Sequence, residues 1–236
     1  GALGYLGTEL CKIYSGESWE SKIVAIDNRF ISERVNQLKE WGIEFLQGHI
    51  LDKDFLKKNL YDADIIHHLA GVTDVAYVKS EANSELDKRI ISIGVEGTKN
   101  VLKAIPEKCK IIFPSTHVVF EGLKKVKKNI LENDKTMPIL TYAKSKVQNE
   151  IDIKNSNKQY VILRLGSVYG YSTDTMRINI MPNLFSKITS QNGTIKLFGG
   201  GKQLKSLVNI IDVARCMKFV ETNKNIQNQT FHLVNE

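Results

Sequence analysis

The sequence predicts an α/β fold in which helices cover both faces of a doubly wound parallel sheet. Short runs rich in Ile, Val and Leu alternate along the chain with longer stretches of helical periodicity. The short runs are apolar at successive positions, as expected for strands buried on both faces of a parallel sheet with crossover helices. Ligands of such a sheet bind at the carboxyl ends of its strands.

The elements follow one another in a regular order. The predicted strands are Lys22–Asp27, Ile43–Gln47, Ile65–Leu69, Cys109–Ser115, Val161–Leu165 and Thr194–Phe198, followed by a last strand-like run at Thr230–Val234. The predicted helices are Gly4–Tyr14, Ser32–Trp41, Asp52–Leu60, Glu85–Ala104, Thr141–Asn155, Asn179–Ser190 and Ile211–Thr222.

Composition narrows the class of protein. Of the 236 residues, 42% are hydrophobic and 25% charged, which is typical of a globular chain. No apolar run approaches the roughly 20 residues of a membrane span, and no signal peptide opens the chain, so we expect a cytoplasmic protein. Three widely spaced cysteines predict neither a disulfide framework nor a metal site.

The net charge of +7 does not by itself indicate nucleic-acid binding. Basic residues are spread along the chain, and the one dense run, Lys124–Lys128, has no interleaved aromatic residue. We expect that run to be a solvated loop. An excess of positive charge also suits a small anionic substrate such as a nucleotide diphosphate.

A glycine-rich segment at the mouth of the first helix indicates a dinucleotide site. Gly1, Gly4 and Gly7 would let the backbone approach a pyrophosphate, whose charge the helix N-terminus stabilises. Asp27 follows Gly7 by 20 residues and ends a strand, where an acid is placed to bind an adenosine ribose. Its charge favours NAD over NADP, although Arg29 leaves NADP open.

The glycine segment opens the chain with no strand before it. We therefore expect a Rossmann fold that lacks its first strand, within a fragment of a longer protein. Residues 1–170 are predicted to form the NAD-binding domain. Residues 171–236 are predicted to form part of a small C-terminal substrate lobe, interleaved with the last Rossmann elements.

A candidate reactive pair lies at the start of a later helix. Tyr142 and Lys146 are four residues apart and therefore share a helix face. An ammonium beside a tyrosine stabilises the phenolate and lowers its pKa, which makes proton transfer with a hydroxyl practicable. Thr116 ends a predicted strand, where its hydroxyl can orient a substrate oxygen. A solvent-facing pair, and a threonine that only caps a turn, are the alternatives.

Together these motifs resemble the extended short-chain dehydrogenase/reductase family, in particular its NAD-dependent epimerase/dehydratase group that acts on nucleotide sugars. The resemblance runs the whole length of the chain. It rests on residues 1–7, 27–28, 68–71, 97–102, 115–116, 142–146, 163–170 and 208–214.

The resemblance implies a role for each of these positions. Tyr142 would be the acid/base, Lys146 its partner and a ribose ligand, and Thr116 the substrate-orienting hydroxyl. The other expected cofactor contacts are Gly1, Gly4, Tyr5, Leu6, Gly7, Asp27, Asn28, Ile50, Leu69, Ala70 and Gly71. The other expected substrate contacts are His117, Asn179, Ile180 and Lys205, the last three at the diphosphate.

Some positions depart from the family pattern. Gly94 stands where the family has Asn, His49 where it has an acid near adenine, and Lys205 where it has Arg. Lysine keeps the charge of arginine but loses its bidentate fork. The 4,6-dehydratases of the group carry Asp-Glu where this chain has His117-Val118, so dehydration is disfavoured.

The resemblance implies an NAD-dependent nucleotide-sugar epimerase, acting at C4 through transient oxidation to a keto-sugar. One alternative is a keto-sugar reductase using NAD(P)H, because residues 115–122 resemble the corresponding stretch of dehydrorhamnose reductases. Another is a non-catalytic NAD(H)-binding sensor. We also expect a homodimer, since helices Glu85–Ala104 and Thr141–Asn155 match the pair that often forms a four-helix interface in this group.

Overall fold

The computed structural model of the chain describes residues 1–16, 21–73, 84–173, 177–202 and 204–235. Within them the strands are β1 (Val24–Asp27), β2 (Glu44–Gln47), β3 (Ile65–His67), β4 (Lys110–Thr116), β5 (Gln159–Leu165), β6 (Ser167–Tyr169), β7 (Leu207–Asn209) and β8 (Gln229–Leu233). All described pairings are parallel, in the orders β1-β2, β3-β4-β5-β8 and β6-β7. The prediction of an α/β fold on parallel strands is confirmed.

The helices are α1 (Tyr5–Tyr14), α2 (Ser32–Glu40), α3 (Lys53–Leu60), α4 (Ser84–Arg89), α5 (Gly97–Ala104), α6 (Thr141–Lys154), α7 (Met181–Ser190) and α8 (Ile210–Thr222). A π-helical stretch, Ile90–Glu96, joins α4 to α5. Two helices begin at a side-chain cap: Asp52 accepts from the N–H of Phe55, and Asn209 from that of Ile211, both at 2.9 Å.

Alternate residues of the central strands enter two separate hydrophobic clusters. Ile112 of β4 packs in a cluster with Leu10 of α1 and Met217 of α8. Its neighbour Phe113 packs in the other cluster, with Ile153 of α6. Because side chains alternate across a strand, the two clusters lie on opposite faces of the sheet. The helices therefore cover both faces, as a doubly wound fold requires.

The glycine-rich loop lies between the ends of β1 and β3. The amino group of Gly1 donates to the carbonyl of Ile26 at 2.7 Å. A Cβ at Gly1 would come within 2.6 Å of the carbonyl carbon of Leu69, just after β3. The described parts of β1 and β3 do not pair with each other. The loop is thus at the carboxyl edge, where the sequence predicted the cofactor to bind.

One sequence-based assignment needs correction, and one pair of strands was missed. The strand predicted at Thr194–Phe198 is wrong, because residues 194–197 have no regular structure. Ile195 and Leu197 are 37% and 58% exposed, so the alternating pattern has no core face to cover. The pair β6-β7 was not predicted; its strands have three residues each, too short to give a periodic signal.

Elements from both predicted domains share the core. β8 pairs with β5, and α8 packs in the same cluster as α1, although both follow residue 170. The division at residue 170 stays a prediction. None of the helices in the described part of the chain is long and apolar enough to span a bilayer. Those same residues contain no cluster of three or more His, Cys, Asp or Glu suited to a metal ion.

Candidate active site

The glycine-rich loop brings closely packed backbone to the start of α1. Gly4 caps this ten-residue helix without a side-chain hydrogen bond, and the first turn carries no acidic residue. A Cβ at Gly7 would lie 2.4 Å from the carbonyl oxygen of Gly1, so the loop can pack this tightly only with glycine there. Close backbone approach and free N–H groups at a helix N-terminus fit the pyrophosphate of a dinucleotide. Tyr5 and Leu6, the other predicted contacts, form the first turn of α1.

Asp27 ends β1 beside this loop and is 4% exposed. One carboxylate oxygen accepts from the N–H of Leu3 at 3.0 Å, and the other from the N–H of Arg29 at 2.9 Å. The carboxylate therefore holds the glycine-rich loop through Leu3. A contact with the cofactor ribose, which stays a prediction, would come in addition to its hydrogen bonds with Leu3 and Arg29.

The segment after β3 is the other wall of the predicted cofactor site. His68 precedes Leu69, Ala70 and Gly71 and stacks on Phe113 with ring centroids 5.6 Å apart. The Thr98 hydroxyl donates to the carbonyl of Gly94 at 2.6 Å, so Nε2–H of His68 is the donor in its 2.9 Å bond to Thr98. Burial, with the charge of Lys146, lowers the pKa of His68 to about 3. This neutral histidine fixes the end of β3.

Two further predicted cofactor residues lie on the β1–β2 side of the site. Asn28 follows β1 directly, is exposed, and accepts from the side chain of Gln47 at 3.2 Å through its carbonyl. Ile50 is buried, and its carbonyl accepts a 3.4 Å hydrogen bond from Asn100. Gly97 of α5 leaves space for Ile50, since a Cβ there would lie 2.8 Å from its side chain. Ile50 is therefore held in place, as a backbone contact with adenine would require.

Tyr142 and Lys146 lie together on the inward face of α6. Tyr142 is 9% exposed, so the alternative of a solvent-facing pair does not describe this structure. The ammonium of Lys146 donates to the carbonyl of Pro114 at 2.9 Å and lies 4.4 Å from the ring centroid of Phe113. It lies 5.9 Å from the ring centroid of Tyr142. α6 thus presents both groups at the end of β4, beside the wall formed by His68.

The electrostatics of the pair differ from the sequence-based expectation. Burial raises the pKa of Tyr142, and the charge opposing that rise is Arg177 rather than Lys146. Burial and the same Arg177 lower the pKa of Lys146 to about 8. The reason is desolvation, which disfavours both charged forms and which the spacing of two residues on a helix does not reveal. Arg177 was not identified from the sequence, although it lies two residues before the predicted substrate residue Asn179.

Thr116 and His117 form the end of β4 and the turn after it. The hydroxyl of Thr116 accepts from the N–H of Val118 at 3.3 Å, so it caps this turn, one of the two roles considered for it. A carbonyl can only accept, so Nδ1–H of His117 donates to the carbonyl of Leu165 at 2.9 Å. Burial lowers the pKa of His117 despite that bond. A neutral ring held in this way presents Nε2 as an acceptor.

A buried ion pair that sequence reasoning missed connects these catalytic candidates. Arg164 of β5 donates to both oxygens of Glu150 of α6, at 3.0 and 2.7 Å. Ser115, which precedes Thr116, donates to the same carboxylate at 2.5 Å. Both charged side chains are 4% exposed. Glu150 lies one helical turn after Lys146, so this network sets α6 against the ends of β4 and β5.

The predicted substrate residues lie near the start of α7 and before β7. Ile180 caps α7, and Asn179 precedes it in an exposed turn. Lys205 is exposed, and its charge contributes to lowering the pKa of His117. Lys205 is therefore near the turn after β4. The roles of these residues stay predictions.

Comparisons with known proteins agree with this architecture. Residues 1–233 match the family model of the NAD dependent epimerase/dehydratase family. A UDP-glucose 4-epimerase of Mycoplasma genitalium is 24% identical over 261 residues, covering 99% of this chain and 74% of that protein. A Haloferax volcanii protein named as a probable low-salt glycan biosynthesis reductase is 31% identical over 141 residues, covering 58% of this chain and 44% of that protein.

Among solved structures, a UDP-glucuronic acid 4-epimerase from Bacillus cereus, in complex with UDP-glucuronic acid and NAD, superimposes with a TM-score of 0.81. It is 25% identical, and the match covers 100% of this chain and 76% of that one. The family-level predictions, including dependence on NAD, are therefore confirmed. On the evidence of its parallel α/β fold and of a match along nearly its entire length, the chain belongs to the NAD dependent epimerase/dehydratase family.

Proposed function

We propose that this protein is an epimerase that inverts C4 of a nucleotide-diphosphate sugar. The observation that carries the proposal is the burial of Tyr142 beside Lys146 at the end of β4. A desolvated phenol and ammonium next to a glycine-rich dinucleotide loop are suited to moving a hydroxyl proton during a redox step. The 4-epimerases among the relatives support C4 as the reacting carbon.

The residues of the loop and of the β3 end would hold the cofactor. Gly4 and Gly7 would admit its pyrophosphate at α1, and Leu69 to Gly71 would lie along it. Lys146 would bind its ribose in addition to its present bond to Pro114. When bound, NAD supplies reversible hydride acceptance at a carbon atom.

The protein's own contribution is position and proton control. Because burial raises the pKa of Tyr142, its phenol stays protonated until a positive charge compensates the phenolate. Arg177 opposes that rise in this structure. We propose that Lys146 adds its charge when the ligands are bound, so that Tyr142 can take the proton of the C4 hydroxyl and later return it. Thr116 orients the same oxygen. The keto-sugar would then have to turn over in the site, so that its other face could receive the hydride back.

A keto-sugar reductase is the second candidate. The similarity to the Haloferax volcanii protein favours it, as does the resemblance of residues 115–122 to dehydrorhamnose reductases. Dehydration stays disfavoured, because His117 and Val118 offer no carboxylate for the elimination of water. A non-catalytic sensor would not need a buried Tyr142 with Lys146 beside it.

The test is to incubate the protein with NAD and, separately, with UDP-glucose, UDP-glucuronic acid and UDP-N-acetylglucosamine. NMR would follow the sugar proton at C4, and absorbance would follow NADH. We expect one of these sugars to convert to its 4-epimer without net NADH formation, and Tyr142→Phe to abolish the conversion. Stoichiometric NADH consumption with a 4-keto-sugar would instead establish the reductase. Full activity of Tyr142→Phe would refute the proposed mechanism, because that variant lacks the hydroxyl that transfers the proton.

A further inference from the structure

A hydrogen-bonded clasp joins the glycine-rich loop to the segment that precedes α7. The hydroxyl of Tyr5, the first residue of α1, donates to the carbonyl of Gly170 at 2.7 Å. The side-chain amide of Asn183, in the first turn of α7, donates to the same hydroxyl at 3.2 Å. The N–H of Gly170 donates to the amide oxygen of Asn183 at 3.0 Å. Three groups from three parts of the chain thus close one ring.

The backbone conformation of Gly170 and a further hydrogen bond of Asn183 hold the clasp in place. Gly170 has φ of +127°, a conformation that side chains rarely adopt, and a Cβ there would lie 2.9 Å from Ile210. Glycine therefore lets its carbonyl and its N–H reach Tyr5 and Asn183. The amide nitrogen of Asn183 also donates to the carbonyl of Arg177 at 3.2 Å. Asn183 is thereby bonded both to Gly170, directly after β6, and to Arg177, shortly before α7.

Two further bonds connect the same segments. Arg34 of α2 donates to the carbonyl of Leu3 in the glycine-rich loop and, at 2.7 Å, to that of Thr173. The hydroxyl of Ser172 donates to the carbonyl of Tyr5 at 3.4 Å. Residues 170–173 are therefore joined to the glycine-rich loop by several hydrogen bonds.

The two ends of the clasp adjoin different predicted ligands. Tyr5 follows Gly4, at the N–H groups proposed to receive the cofactor pyrophosphate. Asn183 follows Asn179 and Ile180, proposed to receive the substrate diphosphate. We infer that Tyr5 and Asn183 are positioning residues that couple occupancy of the cofactor loop to the affinity of the substrate segment. This inference rests on the proposed function for the identity of the two ligands.

Such coupling has a measurable sign. If NAD orders the loop, the clasp also orders the start of α7, so a nucleotide diphosphate binds more tightly afterwards. Linkage makes the effect reciprocal, and coupled sites typically change each other's affinity about 5- to 150-fold. We expect about a fivefold effect, at the low end of that range, because it passes through a few hydrogen bonds between neutral groups.

The experiment measures the Kd of UDP by calorimetry with and without saturating NAD. The variants are Tyr5→Phe, which removes only the hydroxyl, Asn183→Ala, which opens the clasp from the other side, and their combination. Tyr171→Phe is the matched control, because Tyr171 is 83% exposed and lies outside the clasp. Epimerase activity of the wild type is measured on the same preparation.

We expect NAD to tighten UDP binding in the wild type and in Tyr171→Phe. Each clasp variant should bring the ratio of the two Kd values close to one, and the double variant should do no more than either single one. A clasp that only stabilises the fold would change thermal stability or both Kd values while leaving their ratio intact, which would overturn the inference. The inference would also be overturned by an active wild type whose Kd for UDP is the same with and without NAD. A wild type that binds neither ligand and lacks activity would refute the proposed function as well.

Discussion

Replacing Glu150 with Gln tests whether the buried ion pair holds the candidate active site together. The substitution keeps the size of the side chain but removes the charge facing Arg164. Arg164 would retain its 3.0 Å bond to the carbonyl of Glu132. Its guanidinium, 4% exposed, would no longer have the adjacent anion that binds it at two points.

The size of the effect follows from this burial. Removing one partner of a buried pair costs roughly 3–5 kcal/mol, because the other charge is left uncompensated. The remaining bond to Glu132 places the expected loss of unfolding free energy near the lower limit, at about 3 kcal/mol. An exposed pair is worth about 0–1 kcal/mol. The pair Lys88–Glu85, at 3.0 Å with side chains 73% and 78% exposed, provides the control.

Urea denaturation followed by circular dichroism would compare Glu150→Gln with Glu85→Gln at neutral pH. Adding Arg164→Met to Glu150→Gln should recover part of the loss, because the uncompensated charge is removed with it. If Glu150→Gln lowered the free energy of unfolding no more than Glu85→Gln does, the bidentate pair would not stabilise the packing of α6 against β5. A further loss on adding Arg164→Met would contradict the explanation by uncompensated charge.

Three further predictions concern the site and its assembly. Because the pKa of Lys146 is lowered to about 8, its ammonium should lose its proton as pH rises through about 8 and kcat should fall; in a pH–rate profile, Lys146→Arg should move that fall upward, and an unmoved profile would assign it to another group. Gly7→Ala should weaken NAD binding at least about tenfold in equilibrium titration, since its Cβ meets backbone at 2.4 Å, whereas Gly16→Ala, with its closest neighbour at 4.0 Å, should not; equal affinities would contradict the close-approach argument. If the predicted homodimer forms through α6, Ile151→Asp should shift sedimentation to the monomer, because Ile151 is 45% exposed in this chain; an unchanged dimer would place the interface elsewhere.

Local patterns were enough to predict the fold and the position of the loop. Gly1, Gly4 and Gly7 mark the start of a helix and Asp27 ends a strand, and both features are visible within a few residues of sequence. β4 and β5 are seven residues each and contain buried apolar runs long enough to be distinguished in the sequence. The parallel arrangement then brings their carboxyl ends together. For this reason Thr116 and Tyr142 could be predicted as residues of the candidate active site.

Interactions between distant residues could not be predicted in the same way. Arg164 and Glu150 are 14 residues apart, and Tyr5 and Gly170 are 165 apart, so no periodicity links them. The raised pKa of Tyr142 depends on burial, which a helical spacing does not specify. The strand predicted at Thr194–Phe198 is wrong because a local alternation of apolar residues was present in the sequence, but no core surface packs against it in the fold.

In the proposed mechanism, hydride leaves C4 of the sugar and returns to the same carbon of the same molecule. The most direct test supplies a nucleotide sugar carrying deuterium at C4, with unlabelled NAD, and follows the label by NMR and mass spectrometry. We expect the 4-epimer to form with its deuterium retained at C4, and Tyr142→Phe to form none. Loss of deuterium to the solvent or its accumulation in free cofactor during epimer formation would contradict it.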